Sequence, residues 1–374
     1  MNKILRRFNK TKPIKNNIMA TQNEKIQKLE DELKSLKDTL VKYGDMFNAD
    51  GDIDTDEQKQ LDAMQAVIKK AEAKLAEIKD KAKAGRGNDA PNPAIEGDDK
   101  KKGYVYKDVT KQKLNQIINV FTKGKDDKTD VHWNDVGQGA IGDCYFMSAI
   151  GAVAKANPAA LKKLIKGPDS NGNYEVTMYI DGSYFSSRKA KTVKITPEFL
   201  VDKNGNPLYA QDGDTELWVM LLEKAYAILR KDEKYWDSRV SKLSDGYNKL
   251  EGGWGEEGIE VLTGKEAKTL WIKNLSDDEI KSTITDALKD KRPITTGTIP
   301  GPEKGKKADK KQIAAQGLNI VLSHEYFVLS FDGSKITLQN PWNAEQVDGD
   351  GRGDITLDFA DYKKYYRNIC VQEK

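Results

Sequence analysis

The spacing of apolar residues changes at about position 100 and divides the chain into two parts of different architecture. Before that point, leucines and isoleucines recur at alternating steps of three and four residues, the period that places them on one face of an α-helix. After it, short alternating runs such as YEVTMYI and helical stretches such as LWVMLLEKAYAIL follow one another, with strands concentrated later. We therefore predict a helical segment followed by an α+β domain.

Two apolar seams in the first part predict an antiparallel helical hairpin. The stretch between them, YGDMFNADGDIDTDEQ, is too short and too rich in turn residues for anything but a reversal of direction. Thr55 and Gln58 have the spacing of a capping box for the second helix. The seams consist of Ile26, Leu29, Leu33, Leu36 and Leu40, and of Leu61, Met64, Ile68, Ala71, Leu75 and Ile78.

Polar segments flank the hairpin. Residues 1–20 hold six Lys/Arg and no acid, which predicts a disordered basic tail, and residues 85–103 are rich in Gly, Pro, Asn and charge, which predicts a solvated linker. The hairpin then occupies residues 21–84 and the folded domain residues 104–374. No apolar run suits a secretory signal or a transmembrane segment, so we predict a cytoplasmic location, or export by a route without a classical signal peptide.

Charge and cysteine content exclude two classes of protein. The 62 Lys/Arg and 59 Asp/Glu leave a net charge of +3, and no basic stripe is interleaved with aromatic residues, so nucleic acid is not an expected partner. Only two cysteines occur, far apart, which argues against a disulfide framework.

The hairpin turn overlaps the pattern of an EF-hand calcium loop. When Gly51 is aligned with the invariant glycine, Asn48, Asp50 and Glu57 fall on ligand positions. The first ligand position falls on Met46, so the loop lacks its leading carboxylate. The alternative is an acidic turn that caps the second helix.

Cys144 follows the glycine-rich stretch GQGAIGD and begins an apolar run of small residues that we predict to be a helix from Cys144 to Ala156. Asp143 is its predicted N-cap. A helix N-terminus and a nearby imidazole both favour a thiolate, and the amide of Gln138 can donate to an oxyanion beside the backbone N–H of Cys144. The alternative is a buried core thiol, the usual state of a cysteine on an apolar helix.

His324 and Asn340 supply the groups that such a thiol needs. His324 begins an apolar run that reads as a strand, and the next strand ends at Asn340, so an antiparallel hairpin places the two side by side. An Asn there can fix the imidazole tautomer so that the other ring nitrogen faces the cysteine. We predict that the second histidine, His132, is a surface or packing residue and that Cys370 is buried and inert.

Five blocks in this order resemble the protease core of the calpain family. They are QGAIGDC, LLEKAYA with Glu216 and Trp218 before it, EGGWGEEGIEVLTG, the His-Glu-Tyr at 324–326 and the Asn-Pro-Trp at 340–342. The resemblance runs from about Asp135 to the C-terminus. It implies a papain-like cysteine protease with a cleft between two subdomains, in which Cys144 is the nucleophile, His324 the general base and acid, Asn340 the orienting residue and Gln138 the oxyanion donor.

The resemblance also implies cleft residues, with some departures. Gly252 and Gly253 match a backbone stretch that meets the substrate, and Trp342 matches a tryptophan that shields the catalytic pair. Tyr145 and the residue after it replace the family's Trp and Leu, and Glu325 replaces a small residue after the histidine. On a strand, the side chain of Glu325 is expected on the face opposite the imidazole.

Calcium is a possible modulator by the same resemblance, although the chemistry itself requires no cofactor. Asp135 falls where the family has a calcium-binding Asp, and Glu216, with the acids at 212 and 214, lies in the matching partner region. Gln346 stands where a second site expects an acid, although DGDGRGD supplies carboxylates nearby. Solvated acidic turns are the alternative.

The predicted function is a calpain-like cysteine endopeptidase acting on protein or peptide substrates. The alternative is a catalytically silent binding module assembled through the hairpin. The hairpin and tail are further predicted to serve in docking, self-association, export or inhibition. The polar segment 301–317 before His324 reads as a lid over the cleft or as a plain surface loop.

Overall fold

The computed structural model describes residues 22–47, 55–85, 90, 92–111, 119–124, 128–180, 188–210, 216–230, 246–342 and 353–374. The basic tail 1–20 and the turn residues Asn48 and Asp50 lie outside these ranges. The chain divides into two units, Met1–Asn88 and Asp89–Lys374. No helix in the described part of the chain is long and apolar enough to span a membrane.

The first unit contains two long helices, α1 (Gln22–Phe47) and α2 (Thr55–Gly85). Leu61, Ile68 and Leu75 are buried on α2, and the seam leucines of α1 at 29, 33, 36 and 40 are half-buried. Lys37 and Glu72 form an ion pair of 2.6 Å between the helices. The amide nitrogen of Gln58, a residue of the predicted capping box, donates to Asp62 one turn later at 2.8 Å.

The residues just before the α+β domain are folded onto it, which differs from the predicted solvated linker. Helix α3 (Gly97–Lys102) lies within residues 92–103, and Ala90 is buried. The amide of Asn92 donates to Glu198 at 2.9 Å, and the hydroxyl of Tyr106 donates to the carbonyl of Pro93 at 2.7 Å. These bonds to residues distant in the sequence order a segment whose composition is typical of linkers.

The first half of the second unit is built on four helices: α4 (Cys144–Ala156), α5 (Pro158–Leu164), α6 (Trp218–Leu229) and α7 (Gly255–Thr263). Two small sheets accompany them, one of β1 (Val105–Asp108) and β5 (Glu198–Val201), the other of β2 (Ile165–Lys166), β3 (Tyr174–Ile180) and β4 (Lys189–Ile195). Their shared core includes the fully buried Phe146, Trp218 and Tyr226.

The second half is a six-stranded antiparallel sheet with the order β10-β9-β8-β7-β11-β6. Its own core includes Ile280, Tyr326 and Ile369. The strands are β6 (Ala267–Trp271), β7 (Ile294–Thr298), β8 (Glu325–Phe331), β9 (Lys335–Gln339), β10 (Asp354–Asp358) and β11 (Tyr366–Gln372). The helices are α8 (Asp277–Lys289), α9 (Lys310–Gln316) and α10 (Phe359–Tyr365). The α+β class is thus confirmed.

Helix α4 packs directly on strand β8 and so joins the two halves. The hydroxyl of Ser148 donates to the carbonyl of Glu325 at 2.8 Å, and both residues are buried. At Gly151, an added Cβ would lie 2.4 Å from the ring of Phe327. The small residues of α4 therefore permit a close approach between the helix and the strand.

We expect Gly151→Ala to lower the free energy of unfolding by about 1–3 kcal/mol, because the new methyl group has no room beside Phe327. Urea unfolding followed by tryptophan fluorescence measures this, since all six tryptophans lie after residue 132. Gly317→Ala is the control, because its φ is −63° and its nearest neighbour is 3.4 Å away. Equal midpoints for the two variants would contradict the tight contact.

Candidate active site

Of the four residues predicted to act in catalysis, Gln138, Cys144 and His324 line one cleft of about 710 Å³ in the second unit. The first half contributes the loop before α4, the first residue of α4 and the loop before α7. The second half contributes the segment before β8 and the segment after β9. Among the lining residues are Gln138, Cys144, Gly252, Gly253, His324 and Trp342.

Cys144 is the first residue of α4, which ends at Ala156 as predicted, and its side chain is half-buried. Asp143 occupies the N-cap position, but its side chain makes no capping hydrogen bond. Its carboxyl is buried beside Glu223 of α6, and burial raises the pKa of Asp143 to about 7. The predicted cap is therefore wrong in its geometry, and the N–H groups of the first turn keep their positive potential for the thiol.

The imidazole of His324 has one defined tautomer. Asn340 is fully buried, and its Oδ1 lies 2.8 Å from Nε2 of His324. The same Oδ1 accepts the backbone N–H of Trp342 at 3.1 Å, which identifies it as the oxygen end of the amide. Nε2 therefore carries the proton, and Nδ1 has the free lone pair that a general base requires.

The backbone and ring of His324 are both fixed. Its N–H donates to Oγ1 of Thr298 at 3.0 Å, and its carbonyl accepts the N–H of Thr298 at 2.9 Å. The ring lies against Trp342 with centroids 4.7 Å apart. Strands β8 and β9 form the antiparallel hairpin predicted from the sequence, which brings Asn340 back to His324.

Gln138 ties the loop before the cysteine to the segment after Asn340. Its backbone N–H donates to the carbonyl of Pro341 at 2.6 Å, and Gly137 forms an antiparallel bridge with Trp342. One N–H of the side-chain amide donates to the carbonyl of Ile141 at 2.6 Å. An amide nitrogen carries two hydrogens, so the bond to Ile141 uses only one of them.

Gly252 and Gly253 form one wall of the cleft. Arg230, a residue that the sequence analysis did not identify, holds the backbone of this wall in place. Its guanidinium is buried, pairs with Glu257 at 2.9 Å and donates to the carbonyl of Gly252 at 2.9 Å. The N–H of Gly252 donates to the carbonyl of Gly142 at 2.9 Å. Both backbone groups of Gly252 are thus used within the protein, and Gly253 is left as the glycine whose backbone can meet a ligand.

Burial acts against the charged forms of both reacting groups. It raises the pKa of the Cys144 thiol to about 12, an effect that the Glu325 carboxylate reinforces and the Glu325 and Tyr145 N–H groups oppose. Burial also lowers the pKa of His324 to about 4, and the hydrogen bond to Asn340 opposes this effect only in part. The resting pair is therefore a neutral thiol and a neutral imidazole with a free Nδ1.

Glu325 contacts a different set of groups from its neighbour His324. Its carboxylate accepts the hydroxyl of Thr295 at 2.7 Å and lies close to Gly255 and Gly297. The side chain is buried, and burial raises its pKa to about 7 against the lowering effect of the Thr295 bond and the Arg367 charge. The carboxylate does not contact the imidazole, consistent with the sequence expectation.

We expect Glu325→Gln to reduce the loss of stability between pH 4.5 and pH 7. In that window the unfolded chain releases the proton of Glu325 and the folded chain retains it, so the free energy of unfolding falls as pH rises. Glu325→Gln should therefore remove a decrease of roughly 3 kcal/mol in the free energy of unfolding across this pH range. Urea unfolding at pH 5 and pH 7 measures it. Glu303→Gln, at an exposed carboxylate, is the control, and equal pH slopes in the two variants would contradict the prediction.

The acidic residues predicted to bind calcium have structural partners. Asp135 is buried and accepts the N–H of His132 at 2.6 Å in a capping box, and Glu216 is buried and accepts the indole N–H of Trp218 at 2.8 Å. Across the described ranges, no group of three or more His, Cys, Asp or Glu is placed to hold a metal ion. Residues 212, 214, 346 and 348–352 lie outside those ranges, and Glu57 lies on α2.

The remaining candidate residues have ordinary packing roles. His132 accepts the N–H of Asn134 and lies against Trp133, with ring centroids 5.0 Å apart. Cys370 is buried, with its sulfur 3.2 Å from Thr269 Oγ1. The segment 301–317 contains helix α9, which has a capping box of Asp309 and Gln312.

A thiol at the start of a helix, in one cleft with an imidazole whose Nε2 is held by an Asn, is the arrangement of the papain-like class of cysteine proteases. The model of the calpain family cysteine proteases matches residues 119–356. This chain therefore belongs to the calpain family of cysteine proteases.

Several relatives share this similarity. The chain is 27% identical over 258 residues to the calpain-type cysteine protease ADL1 of Oryza sativa subsp. japonica, a match covering 65% of this chain and 10% of that protein. It is 24% identical over 248 residues to calpain-9 of Mus musculus, a match covering 64% of this chain and 31% of that protein. The chain thus spans between a tenth and a third of the length of these relatives.

Proposed function

We propose that the second unit is a cysteine endopeptidase with Cys144 as nucleophile and His324 as general base and acid. The observation that carries the proposal is the hydrogen bond between Asn340 Oδ1 and His324 Nε2, which leaves Nδ1 free in the cleft that Cys144 lines. Membership of the calpain family supports it independently. Protein chains are the substrates that such a domain implies.

The reaction proceeds through a thioester. Nδ1 of His324 takes the thiol proton as Sγ bonds to the peptide carbonyl carbon, which avoids a free thiolate in a site that disfavours one. The second N–H of Gln138 and the backbone N–H of Cys144 stabilise the oxyanion. The imidazolium gives its proton to the leaving amine as the C–N bond breaks, and a water deprotonated by His324 then hydrolyses the thioester.

We expect Cys144→Ala and His324→Ala to lower kcat/KM for casein cleavage by at least about 1,000-fold, because each removes a group that acts in the transition state. Asn340→Ala should lower kcat/KM by a smaller factor, because the imidazole remains in place and loses only the hydrogen bond that fixes its tautomer. Cys370→Ala and His132→Ala are matched controls that remove the other cysteine and the other histidine. Full activity in Cys144→Ala would refute the assignment.

The same assay, run with millimolar calcium and with chelator, tests whether calcium modulates the activity, as the family resemblance implies. We expect cleavage to persist in chelator, because every group used in the reaction belongs to the protein. A higher rate in calcium that Asp135→Asn abolishes would establish modulation, and equal rates would remove it. No cleavage in either condition, together with no labelling of Cys144 by a thiol-reactive protease probe, would favour the catalytically silent module.

We also propose that the hairpin is a contact surface for docking or self-association. Val41, Tyr43 and Met46 near the end of α1 are 63%, 40% and 57% exposed, and they form a group of exposed large hydrophobic side chains on this helix. Apolar side chains grouped in this way are typical of interaction sites.

We expect the full chain to show a concentration-dependent mass in sedimentation that Val41→Lys reduces. A chain shortened to begin at Asp89 should stay monomeric; residues 92–103 must be kept because they fold onto the second unit. Equal casein cleavage by the full and shortened chains would exclude an inhibitory hairpin. A full chain that is monomeric at every concentration would exclude self-association.

A further inference from the structure

One wall of the cleft carries a cation that the reaction does not use. Arg367 lines the cleft that contains Cys144 and His324, and Trp254 lines it beside Arg367. Arg367 is the extra residue of a β-bulge in β11, because Tyr366 pairs with Thr298 while Asn368 pairs with Gly297. Bulges re-aim side chains and occur often beside active sites.

Two tryptophans hold the guanidinium in place. Its central carbon lies 5.2 Å from the ring centroid of Trp254 and 6.0 Å from that of Trp271, and the two indoles meet edge to face with centroids 6.0 Å apart. Cation–π contacts of this kind fix a guanidinium without consuming its N–H donors. The cation is therefore preorganised for another partner.

Hydrogen-bond donors at this wall lack acceptors. Nε of Arg367 and Nε1 of Trp254 are both buried atoms that donate no hydrogen bond to any residue in the described part of the chain. Buried donors are ordinarily paired, so these two donors leave the wall with hydrogen-bonding capacity that the described part of the chain does not use.

The charges around this wall favour an anion. Among the described residues that line the cleft, none is an Asp or a Glu, and Arg367 is the only Lys or Arg. Outside the lining, the buried carboxyl of Glu325 is within electrostatic reach of Arg367 and accepts the hydroxyl of Thr295. A carboxylate entering the cleft thus meets a cation and an indole N–H with no competing acid in the wall.

We propose that Arg367 and Trp254 form a specificity subsite that binds an acidic side chain, Asp or Glu, of the protein substrate close to the scissile bond. The inference rests on the proposed peptidase function and names its substrate class. Arg367 determines specificity and takes no part in the bond-breaking steps.

The test uses quenched-fluorescent peptides in which Glu, Gln, Leu and Lys are placed in turn at each position around the cleaved bond. At one position we expect the full-length enzyme to prefer Glu over Gln by about tenfold or more in kcat/KM, the usual effect of a charge-assisted hydrogen bond. Arg367→Gln should bring that ratio to about one, mainly through KM. Higher salt should reduce the wild-type ratio.

Matched variants separate this role from a structural one. Arg367→Gln should lower kcat/KM for the Glu peptide about tenfold more than for the Gln peptide, and Arg367→Lys, which keeps the charge, should retain part of the preference for Glu. Lys273→Gln removes one positive charge from an exposed residue outside the cleft lining and should leave the Glu/Gln ratio unchanged. A wild-type ratio of one at every position, or a ratio that survives Arg367→Gln, overturns the proposal while the peptidase stands.

A binding measurement keeps the subsite testable apart from turnover. In Cys144→Ala, the Kd for the Glu peptide should be about tenfold lower than for the Gln peptide, and adding Arg367→Gln should remove the difference. If no peptide is cleaved by the wild type but this difference is found, the subsite stands and the peptidase assignment falls. Equal Kd values overturn the subsite.

Discussion

The contact between α4 and β8 is the constraint on which the rest of the site depends. Each half of the second unit has its own core, and only a close approach between them brings a thiol and an imidazole into one cleft. Gly151 provides the room beside Phe327. The buried hydrogen bond from Ser148 to the carbonyl of Glu325 fixes the position of the helix along its axis relative to the strand. An error of one helical turn in this packing would move the thiol by about 5.4 Å, beyond reach of the base.

Buried polar bonds then define the walls of the cleft. The guanidinium of Arg230 is removed from water, which is costly unless every charge is paired, and its pairing with Glu257 and the Gly252 carbonyl meets that condition. On the other side, the bond from the backbone N–H of Gln138 to the Pro341 carbonyl joins the loop before α4 to the segment after Asn340. The cleft is therefore shaped by groups that can be satisfied in only one arrangement.

Features set by local sequence were predicted correctly, and features set by distant contacts were not. The bounds of α4 follow from a glycine turn at one end and Asn157 with a proline at the other, and the β8–β9 hairpin follows from alternation around a turn. The role of Arg230, the failure of Asp143 to cap α4 and the folding of residues 92–103 all depend on partners far away in the chain. A single sequence contains no signal for such pairings beyond the family resemblance.

The electrostatics of the site suit the proposed mechanism, in which the thiolate of Cys144 forms only during attack. Burial raises the pKa values of Asp143 and Glu325 to about 7 and that of Glu223 well above its usual range, so these acids are largely protonated in mildly acidic solution. As pH rises, Asp143 and Glu325 ionise, and their charge further raises the pKa of Cys144. A standing thiolate would face these carboxylates in a site of low polarity. In the proposed reaction, proton transfer to His324 during bond formation avoids that cost, because the developing negative charge passes to an oxyanion held by N–H donors.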